Sequence, residues 1–582
     1  MTLTPLDWSI IVAYFAVSLA IGIVYSRRAG RSVNEYFLSG RNLPWWLAGT
    51  SMVATTFAAD TPLAVAGLVA RNGIAGNWLW WSAAFGSMLT VFFFARLWRR
   101  AGIMTDVEFA ELRYGGKPAA VLRGFRALYL GLAINCVIMG WVNLAMAKIL
   151  SVTLGWNRLT AVMVSLALTA VYSAMSGLWG VVVTDFFQFI LAMGGTVALA
   201  WFVIRLPAVG GIAGLHDKLP ASTFEFLPRI GDRTGSPDGA AALALPLAAF
   251  LAYVGIQWWA SWYPGQEPGG GGYVAQRMMS AKDERHALLA TLWFTVAHYC
   301  VRPWPWILVG LASIVLYPGL ADKESGYVLV IRDYLPSGWR GLLLASFFAA
   351  YMSTVATQFN WGSSYLVNDF YRRFVRRDAG ERHYLWASRV ATMLTMVVGG
   401  GVTFYLESVR QAWEFVLESG AGIGLVLILR WYWWRVNAWS EIAAMIAPAV
   451  GYAYLRLFTA VQFPFTLIYL VAWTTACWLI VTFLTRPETD ERLVAFYRRV
   501  RPGGPGWNRV AALAGGAPPE SLRGLIGVWV GGWVLVYATL FGTGALILDS
   551  LCGALPYFAA ATAAASFVSW RLRRRGWRSV VE

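Results

Sequence analysis

The chain has 582 residues, of which 58% are hydrophobic and 13% charged, and its mean hydropathy is +0.55. This charged fraction is about half the usual share of a soluble domain, so the composition excludes an ordinary soluble protein. The net charge of +17 comes from basic residues scattered over many loops rather than gathered in one patch, which argues against a nucleic-acid partner.

Long apolar runs recur along the chain and predict an all-α polytopic membrane protein with about fifteen transmembrane helices. In chain order these candidate helices cover residues 8–26, 45–70, 77–98, 122–151, 157–176, 180–204, 240–262, 286–316, 340–368, 385–406, 411–433, 439–458, 462–484, 523–548 and 551–571. The longest polar loops between them are 205–239 and 485–522.

Basic residues predict the orientation of these helices. With the N-terminus outside and the helices alternating, the arginine clusters all fall on the cytoplasmic side, as the positive-inside rule requires. The clusters are Arg27-Arg28, Arg99-Arg100, Arg372-Arg373, Arg376-Arg377 and Arg573-Arg574-Arg575. We therefore expect an integral protein of a bacterial inner (plasma) membrane with a cytoplasmic C-terminus.

The second candidate helix carries Asp60 and Pro62 in otherwise apolar sequence. A charged aspartate at mid-bilayer costs about 2.5–3.5 kcal/mol, and the proline cannot donate a backbone hydrogen bond to Ala58. The helix should therefore loosen near residues 58–62 and expose backbone oxygens, which a hard cation can satisfy. The alternative is a simple proline kink in which Asp60 pairs with a nearby donor.

The ninth candidate helix contains FFAAYMSTVATQFNWGSS, residues 347–364. The hydroxyls of Ser353 and Thr354 can reach the carbonyl of Ala350 one turn earlier, and a cation near that carbonyl could use all three oxygens. Thr357 lies one turn further along the same face. The alternative is ordinary packing of small polar residues. Beside a loosened helix, the pattern favours a sodium site.

The seventh candidate helix ends in one amide among several aromatic residues and continues into YPGQEPGGGG, residues 263–272. Aromatic faces with a few polar groups suit a sugar ring or another semi-polar organic molecule. The expected solute-binding residues are Gln257, Trp258, Trp259, Trp262 and Tyr263. The glycine run lacks the lysine and hydroxyl residue of a phosphate-binding loop, and is interpreted as a hinge.

Four segments resemble the sodium:solute symporter family, which includes sodium-coupled sugar, proline and sialic acid carriers. The segments are SGRNLPWWLAGTSMVATTFAAD at 39–60, SGLWGVVVTDFFQ at 176–188, YVAQRMMSAKDERHA at 273–287, and AAYMST at 349–354 with SSYLVNDFY at 363–371. They occur in the order expected for the family.

The resemblance implies a LeuT-like fold, an inverted repeat of five plus five helices in which the first helix of each repeat is broken. The implied divisions are an extra helix and cytoplasmic loop at 1–44, a first repeat at 45–204, an external loop at 205–239, a second repeat at 240–433, and about four additional helices at 434–582 with the cytoplasmic loop 485–522.

The resemblance also implies a sodium site. The family's site, carried onto matching positions, comprises backbone oxygens of Ala58, Thr61 and Ala350 and hydroxyls of Ser353 and Thr354. Asp60 resembles an acidic residue that some members hold beside this site, and is expected to assist the cation by charge. Asp185 matches a family aspartate expected to line the exit path or to form a second cation site with Thr357. Its alternative role is that of a helix-start residue favoured by the helix dipole.

Together these observations predict a sodium-coupled symporter that imports a small organic solute by alternating access, with a sugar or polyol slightly favoured. An amino acid (proline-like) or a monocarboxylate is the alternative solute. Na⁺ is the expected coupling ion, and the solute and the lipid bilayer are the expected partners. No enzyme activity is expected, because the common hydrolase and metalloprotease motifs do not occur. A proton-coupled carrier that uses Asp60 and a transporter-like sensor remain alternatives.

Overall fold

A computed structural model describes residues 3–29, 32–228, 245–516 and 521–574. In these residues, 11 helices are long and apolar enough to cross a membrane, and a bent pair brings the number to 12. The single helices are Pro5–Tyr25, Ile74–Ala101, Gly116–Leu154, Leu178–Ile204, Glu284–Leu316, Trp339–Val375, Glu381–Thr403, Ala438–Phe458, Phe465–Leu484, Leu522–Leu548 and Leu551–Arg574. Three shorter apolar helices accompany them: Arg158–Ala170, Leu247–Ala260 and Ile423–Tyr432. The all-α polytopic prediction is confirmed, and the count of about fifteen stays a prediction.

Further helices lie between or beside the candidate spans. They are Val33–Leu38, Phe109–Arg113, Gly211–Lys218, Gly272–Ser280, Ser325–Tyr334, Val409–Ser419, Asp490–Val500 and Asn508–Leu513. Two of them, Asp490–Val500 and Asn508–Leu513, occur in the polar segment 485–522. The first forms because Leu493, Phe496 and Val500 make a buried apolar stripe at helical spacing. Residues 229–239 of the predicted external loop lie outside the described residues.

The first broken helix consists of Trp45–Thr55 and Asp60–Asn72, which meet at a bend of 60°. The prediction of a break beside Asp60 is confirmed. The interruption covers residues 56–59, just before Pro62 rather than around it. The proline instead lies in the first turn of the second half, where a backbone N–H has no intrahelical partner to lose.

The second broken helix consists of Leu247–Ala260 and Gly272–Ser280, joined by the irregular residues 261–271. Residues 240–244 of the predicted helix lie outside the described residues. Four glycines in or beside the interruption have positive φ, namely Gly265, Gly269, Gly270 and Gly272. A Cβ at Gly269 would lie 2.6 Å from the carbonyl oxygen of Leu427, so the close approach requires glycine there.

A third interruption divides the predicted helix 411–433 into Val409–Ser419 and Ile423–Tyr432. Gly420 follows the first of these helices, and Gly422, with φ of 87°, immediately precedes the second. The backbone of this interruption pairs with that of the second broken helix: Trp262 N donates to Gly420 O at 3.1 Å, and Gly422 N donates to Ala260 O at 2.9 Å. The two helices are therefore joined by a main-chain bridge.

The helix Trp339–Val375, here called the central helix, has 94% of its most apolar stretch buried. It packs against the first broken helix and against Leu178–Ile204. Gly195 permits the second contact, because a Cβ there would lie 2.5 Å from Ser346 Oγ. The same hydroxyl lies 2.9 Å from the carbonyl oxygen of Leu191. This packing brings Asp185 to the level of Ser353 on the central helix.

Candidate functional site

The first interruption turns backbone oxygens toward the central helix. The helix Trp45–Thr55 ends there, and the last carbonyls of a helix lack intrahelical partners and carry partial negative charge. One of them, the carbonyl of Thr55, lies 2.7 Å from the hydroxyl of Thr354. The carbonyl of Ala58 accepts only a long hydrogen bond of 3.3 Å, from Thr61 N.

The two neighbouring hydroxyls of the central helix face different acceptors. Thr354 Oγ1 lies 3.1 Å from the carbonyl of Ala350 as well as beside that of Thr55. Ser353 Oγ donates to Asp185 Oδ1 at 2.6 Å. Because both hydroxyls direct their protons at other oxygens, their lone pairs face away from those acceptors and can bind a cation.

Asp185 is fully buried within a polar network that several helices share. Its Oδ2 accepts a hydrogen bond from Ser51 at 2.5 Å and lies 4.0 Å from the guanidinium of Arg277. Arg277 Nη2 in turn donates to Thr357 Oγ1 at 2.8 Å. The structure thus places the Arg277 guanidinium near both Asp185 and Thr357, with Nη2 as the nearest atom to each.

Asp60 lies on the other side of the first interruption and is 3% exposed. Its Oδ2 accepts a hydrogen bond from Trp413 Nε1 at 3.2 Å. Its Oδ1 has no hydrogen-bond partner among the described residues. A buried acceptor without a donor is costly, so this oxygen marks a position where a ligand donor is favoured.

A central cavity of about 80 Å³ lies between the two broken helices and the central helix. Its polar lining comprises Thr55, Thr56, Asp60, Thr61, Gln257, Gln266, His298, Arg302, Thr354 and Gln358, and its aromatic lining Trp80, Trp141, Tyr263, Tyr273 and Trp413. Pockets for drug-sized ligands usually measure roughly 300–1,000 Å³. The structure therefore shows a contracted cavity, and a solute needs the surrounding helices to move apart.

The structure brings part of each predicted residue set to this cavity. Ala58, Thr61 and Thr354 of the predicted sodium site line it, whereas Ala350 and Ser353 lie behind Thr354 on the central helix. Of the predicted solute residues, Gln257 and Tyr263 line the cavity. The amide of Gln257 donates to Leu79 O at 2.7 Å, and its Oε1 has no partner among the described residues.

The three neighbouring tryptophans lie outside the cavity lining. Trp258 packs against Trp529, with ring centroids 5.8 Å apart, and donates to Val254 O. Trp259 donates to Gly255 O on the preceding turn. Trp262 packs against Gly420, at the main-chain bridge. Consecutive helical residues point about 100° apart, so Gln257 and its neighbours cannot all face one cavity.

Arg302 and His298 also line the cavity, although the sequence analysis did not select them. Arg302 is 1% exposed, and its Nη1 lies 3.2 Å from both Val53 O and Thr56 Oγ1. Its Nη2 lies 2.6 Å from His298 Nδ1. The sequence feature that could have identified them is an ionisable pair one turn apart within an apolar helix, which by default indicates a functional site.

Comparisons with known proteins agree with this architecture. A sequence model of the sodium:solute symporter family matches residues 36–448. The chain is 27% identical over 492 residues to a sodium/mannose cotransporter of Bos taurus, covering 77% of this chain and 78% of that protein. It is 25% identical over 490 residues to a sodium/glucose cotransporter of Vibrio parahaemolyticus, covering 80% and 87%.

The fold is also similar to a solved structure. A Na⁺-coupled sialic acid symporter in a substrate-bound outward-open state superposes with a TM-score of 0.67 at 18% identity, over 84% of this chain and 99% of that one. The LeuT-like fold implied by the sequence is confirmed, and the chain is a transporter rather than an enzyme. The chain belongs to the sodium:solute symporter family.

Proposed function

We propose that the protein is a sodium-coupled symporter whose cation site lies between the first interruption and the central helix. The proposed ligands are backbone oxygens of Ala58, Thr61 and Ala350 and the hydroxyls of Ser353 and Thr354. The observation that carries this proposal is the hydroxyl of Thr354, which spans the gap from the carbonyl of Ala350 to that of Thr55. Sodium is a hard cation that prefers such oxygens.

Asp185 is proposed to support this site through its hydrogen bond with Ser353. By accepting a hydrogen bond from Ser353, its carboxylate orients that hydroxyl and contributes negative charge near the cation. We place Asp185 and Thr357 on the exit path. A second cation between them would have to displace the guanidinium of Arg277, which contacts both.

The proposed solute is a neutral polyhydroxylated molecule such as a sugar or polyol. Three acceptor oxygens on the residues that line the central cavity have no partner among the described residues: Asp60 Oδ1, Gln257 Oε1 and Gln358 Oε1. A solute with several hydroxyl donors can donate to all three, whereas the carboxylate group of a monocarboxylate supplies no donor. The sugar cotransporters among the relatives support the same choice.

Charge within the cavity also favours a neutral solute. Arg302 brings one positive charge and Asp60 one negative charge, and the protein already accepts hydrogen bonds from all three nitrogens of the guanidinium. An amino acid is the second candidate, because its ammonium and carboxylate groups could pair with Asp60 and Arg302 respectively.

The proposed cycle follows from the two binding sites. External sodium joins the first broken helix to the central helix and stabilises the state that binds solute, and solute binding raises sodium affinity reciprocally. A membrane potential of 100 mV adds about 2.3 kcal/mol for each charge that moves inward. We place residues 45–204 and 240–433 as the inverted repeats, in a bacterial plasma membrane with the N-terminus outside.

The sodium site is tested with the double variant Ser353→Ala/Thr354→Ala in proteoliposomes. We expect sodium affinity to fall at least roughly 100-fold, because two ligands of a charged group are lost. Ser363→Ala is the matched control, since this buried hydroxyl donates to Asn360 O on the same helix. Unchanged sodium affinity in the double variant would refute the assignment.

The solute and the coupling ion are tested together with purified protein. A panel of sugars, polyols, amino acids and monocarboxylates is screened for thermal stabilisation and for uptake, in sodium and in choline. We expect sodium-dependent stabilisation and uptake of a polyhydroxylated compound. Uptake driven by a pH gradient without sodium would contradict sodium coupling, and stabilisation without any uptake would indicate a sensor.

A further inference from the structure

Glu267 carries a buried carboxylate that the proposed sodium and solute sites do not use. It lies in the second interruption and is 3% exposed. Neither carboxylate oxygen has a hydrogen-bond partner among the described residues. A buried charge of this kind is costly unless a counter-ion or ligand accompanies it.

The neighbouring ion pairs leave the charge of Glu267 uncompensated. Asp106, which accepts a hydrogen bond from Gly272 N, lies 4.0 Å from Arg126. Glu441 pairs with Arg126 at 2.9 Å and with Arg430 at 3.3 Å. Two arginines and two acidic residues thus balance one another. Arg126 acts on Glu267 at a distance, but it already pairs with Glu441, so an ionised Glu267 has no counter-ion of its own among these four side chains.

A small pocket beside Glu267 offers neutral oxygens for such a cation. Its volume is about 10 Å³, and hydroxyls of Ser87, Thr90 and Thr291 line it together with Glu267. This volume is close to the minimum of about 10–15 Å³ that holds one water-sized particle. It therefore suits a single dehydrated ion better than an organic group.

Two of the hydroxyls that line this pocket donate to backbone carbonyls one turn earlier on their own helices, and the third, of Ser87, lies 3.2 Å from the Tyr299 hydroxyl. Thr90 Oγ1 donates to Gly86 O at 3.1 Å, and Thr291 Oγ1 donates to Ala287 O at 2.9 Å. Their lone pairs therefore remain available. The described residues contain no group of three or more His, Cys, Asp or Glu side chains that could hold a metal ion. One carboxylate with neutral oxygens suits a monovalent ion rather than a divalent one.

We propose that Glu267, with the hydroxyls of Ser87, Thr90 and Thr291, binds a second monovalent cation of sodium size. This inference rests on the proposed sodium-coupled function and adds a second coupling ion to it. The ion fastens the second interruption to the helices Ala84–Leu89 and Glu284–Val296.

The position of this site couples it to the solute. Gln266 lines both the central cavity and the Glu267 pocket, so adjacent residues of one irregular segment face the two sites. A solute that orders the segment from one side lowers the cost of ordering it from the other. Occupation of either site therefore raises affinity at the other.

Glu267→Gln tests the inference, since it removes the charge and keeps the shape of the side chain. In proteoliposomes, the sodium:solute ratio from reversal potentials is expected to fall from about two to about one, with a Hill coefficient for sodium that falls likewise. Ser353→Ala/Thr354→Ala should remove the other ion, and Glu267→Asp should keep the ratio with weakened affinity.

Two further variants keep the inference falsifiable if Glu267→Gln is unstable. Thr90→Val with Thr291→Val removes two oxygens but no charge, and should weaken sodium binding at this site at least tenfold. Thr295→Ala is the matched control, because its hydroxyl donates to Thr291 O one turn away. An unchanged ratio in Glu267→Gln, or a change in proton response alone, overturns the second site. A wild-type protein that ignores sodium overturns the proposed function instead.

Discussion

The two interruptions of the broken helices differ in length and in what they expose. Four residues separate Thr55 from Asp60, and eleven separate Ala260 from Gly272. The short interruption turns its oxygens toward hydroxyls on another helix. The long one folds on itself with several glycines and encloses a carboxylate of its own. Both interruptions thus need hydroxyls of other helices to complete a candidate site: the short one contributes backbone oxygens, and the long one contributes a carboxylate.

The largest expected effect comes from filling the space that the long interruption needs. In Gly269→Val, a Cβ would lie 2.6 Å from Leu427 O at a residue with φ of 82°. We expect the free energy of unfolding to fall by about 3 kcal/mol or more, from backbone strain and overpacking combined. Thermal melting in detergent and the yield of monodisperse protein measure this change.

Gly255→Ala is the control for that substitution. Gly255 lies in the π-helical turn Tyr253–Gln257 of the same broken helix, where an added Cβ meets nothing within 4 Å. Its melting temperature should match or slightly exceed that of the wild type, because alanine favours the helix. Equal damage from both variants would mean that the second interruption imposes no special requirement for glycine.

The next largest effect concerns the short interruption. Asp60→Asn removes a charged acceptor from the central cavity, and solute affinity should fall roughly 10- to 100-fold, the range for a hydrogen bond to a charged group. Trp413→Phe, which removes only the indole donor to Asp60, should change affinity less. Solute titrations at saturating sodium measure both. If Asp60→Asn binds solute normally, Asp60 has no contact with it.

A smaller effect on the KM for solute is expected for residues that face the cavity, and none for their neighbours on other faces of the helix. Gln257→Leu should raise the KM for solute about tenfold, because it removes an acceptor from the lining. Trp258→Phe should leave the KM unchanged, since the indole packs against Trp529 instead. Uptake kinetics at fixed sodium measure the two values. A larger change in Trp258→Phe than in Gln257→Leu would reverse the assignment of faces.

The smallest effect is electrostatic and lies near the first broken helix, where Glu324 packs against Gly67. Burial alone would raise the pKa of the neighbouring Asp322, but hydrogen bonds from Lys148 and Ser325 hold the pKa below its usual value. Its stabilising contribution is therefore present above about pH 4 and is lost as the pH falls further.

Because the Asp322 side chain is 46% exposed, its contribution should remain below about 1 kcal/mol. Melting temperatures of the wild type and of Asp322→Asn, measured from neutral to acidic pH, should differ slightly at neutral pH and converge in acid. A difference that persists unchanged in acid would show that the carboxylate charge plays no part.

The sequence could predict the membrane architecture and the first interruption because both depend on local chemistry. A charged residue beside a proline in apolar sequence identifies a break whatever surrounds it. The exact position of the break could not be predicted, because Pro62 is tolerated in the first turn of the helix that follows it. The interruption within 411–433 was missed for a related reason, since its glycines look like ordinary small packing residues.

The solute cavity was harder to predict because it depends on contacts between distant helices. Gln257 reaches the cavity while Trp258 and Trp259 turn to other faces, and no local pattern indicates which face of that helix end points to the cavity. Trp413 contacts Asp60 from a helix more than 300 positions away in the chain. Such pairings depend on tertiary packing rather than on local pattern.

The main-chain bridge between the second and third interruptions has a mechanical consequence. Two backbone hydrogen bonds join residues 260–262 to residues 420–422, and backbone bonds cannot be exchanged as readily as side-chain contacts. A tilt of the second broken helix is therefore transmitted through these bonds to Val409–Ser419. Trp413 lies on Val409–Ser419 and lines the central cavity, so the same tilt moves Trp413 relative to the rest of the lining.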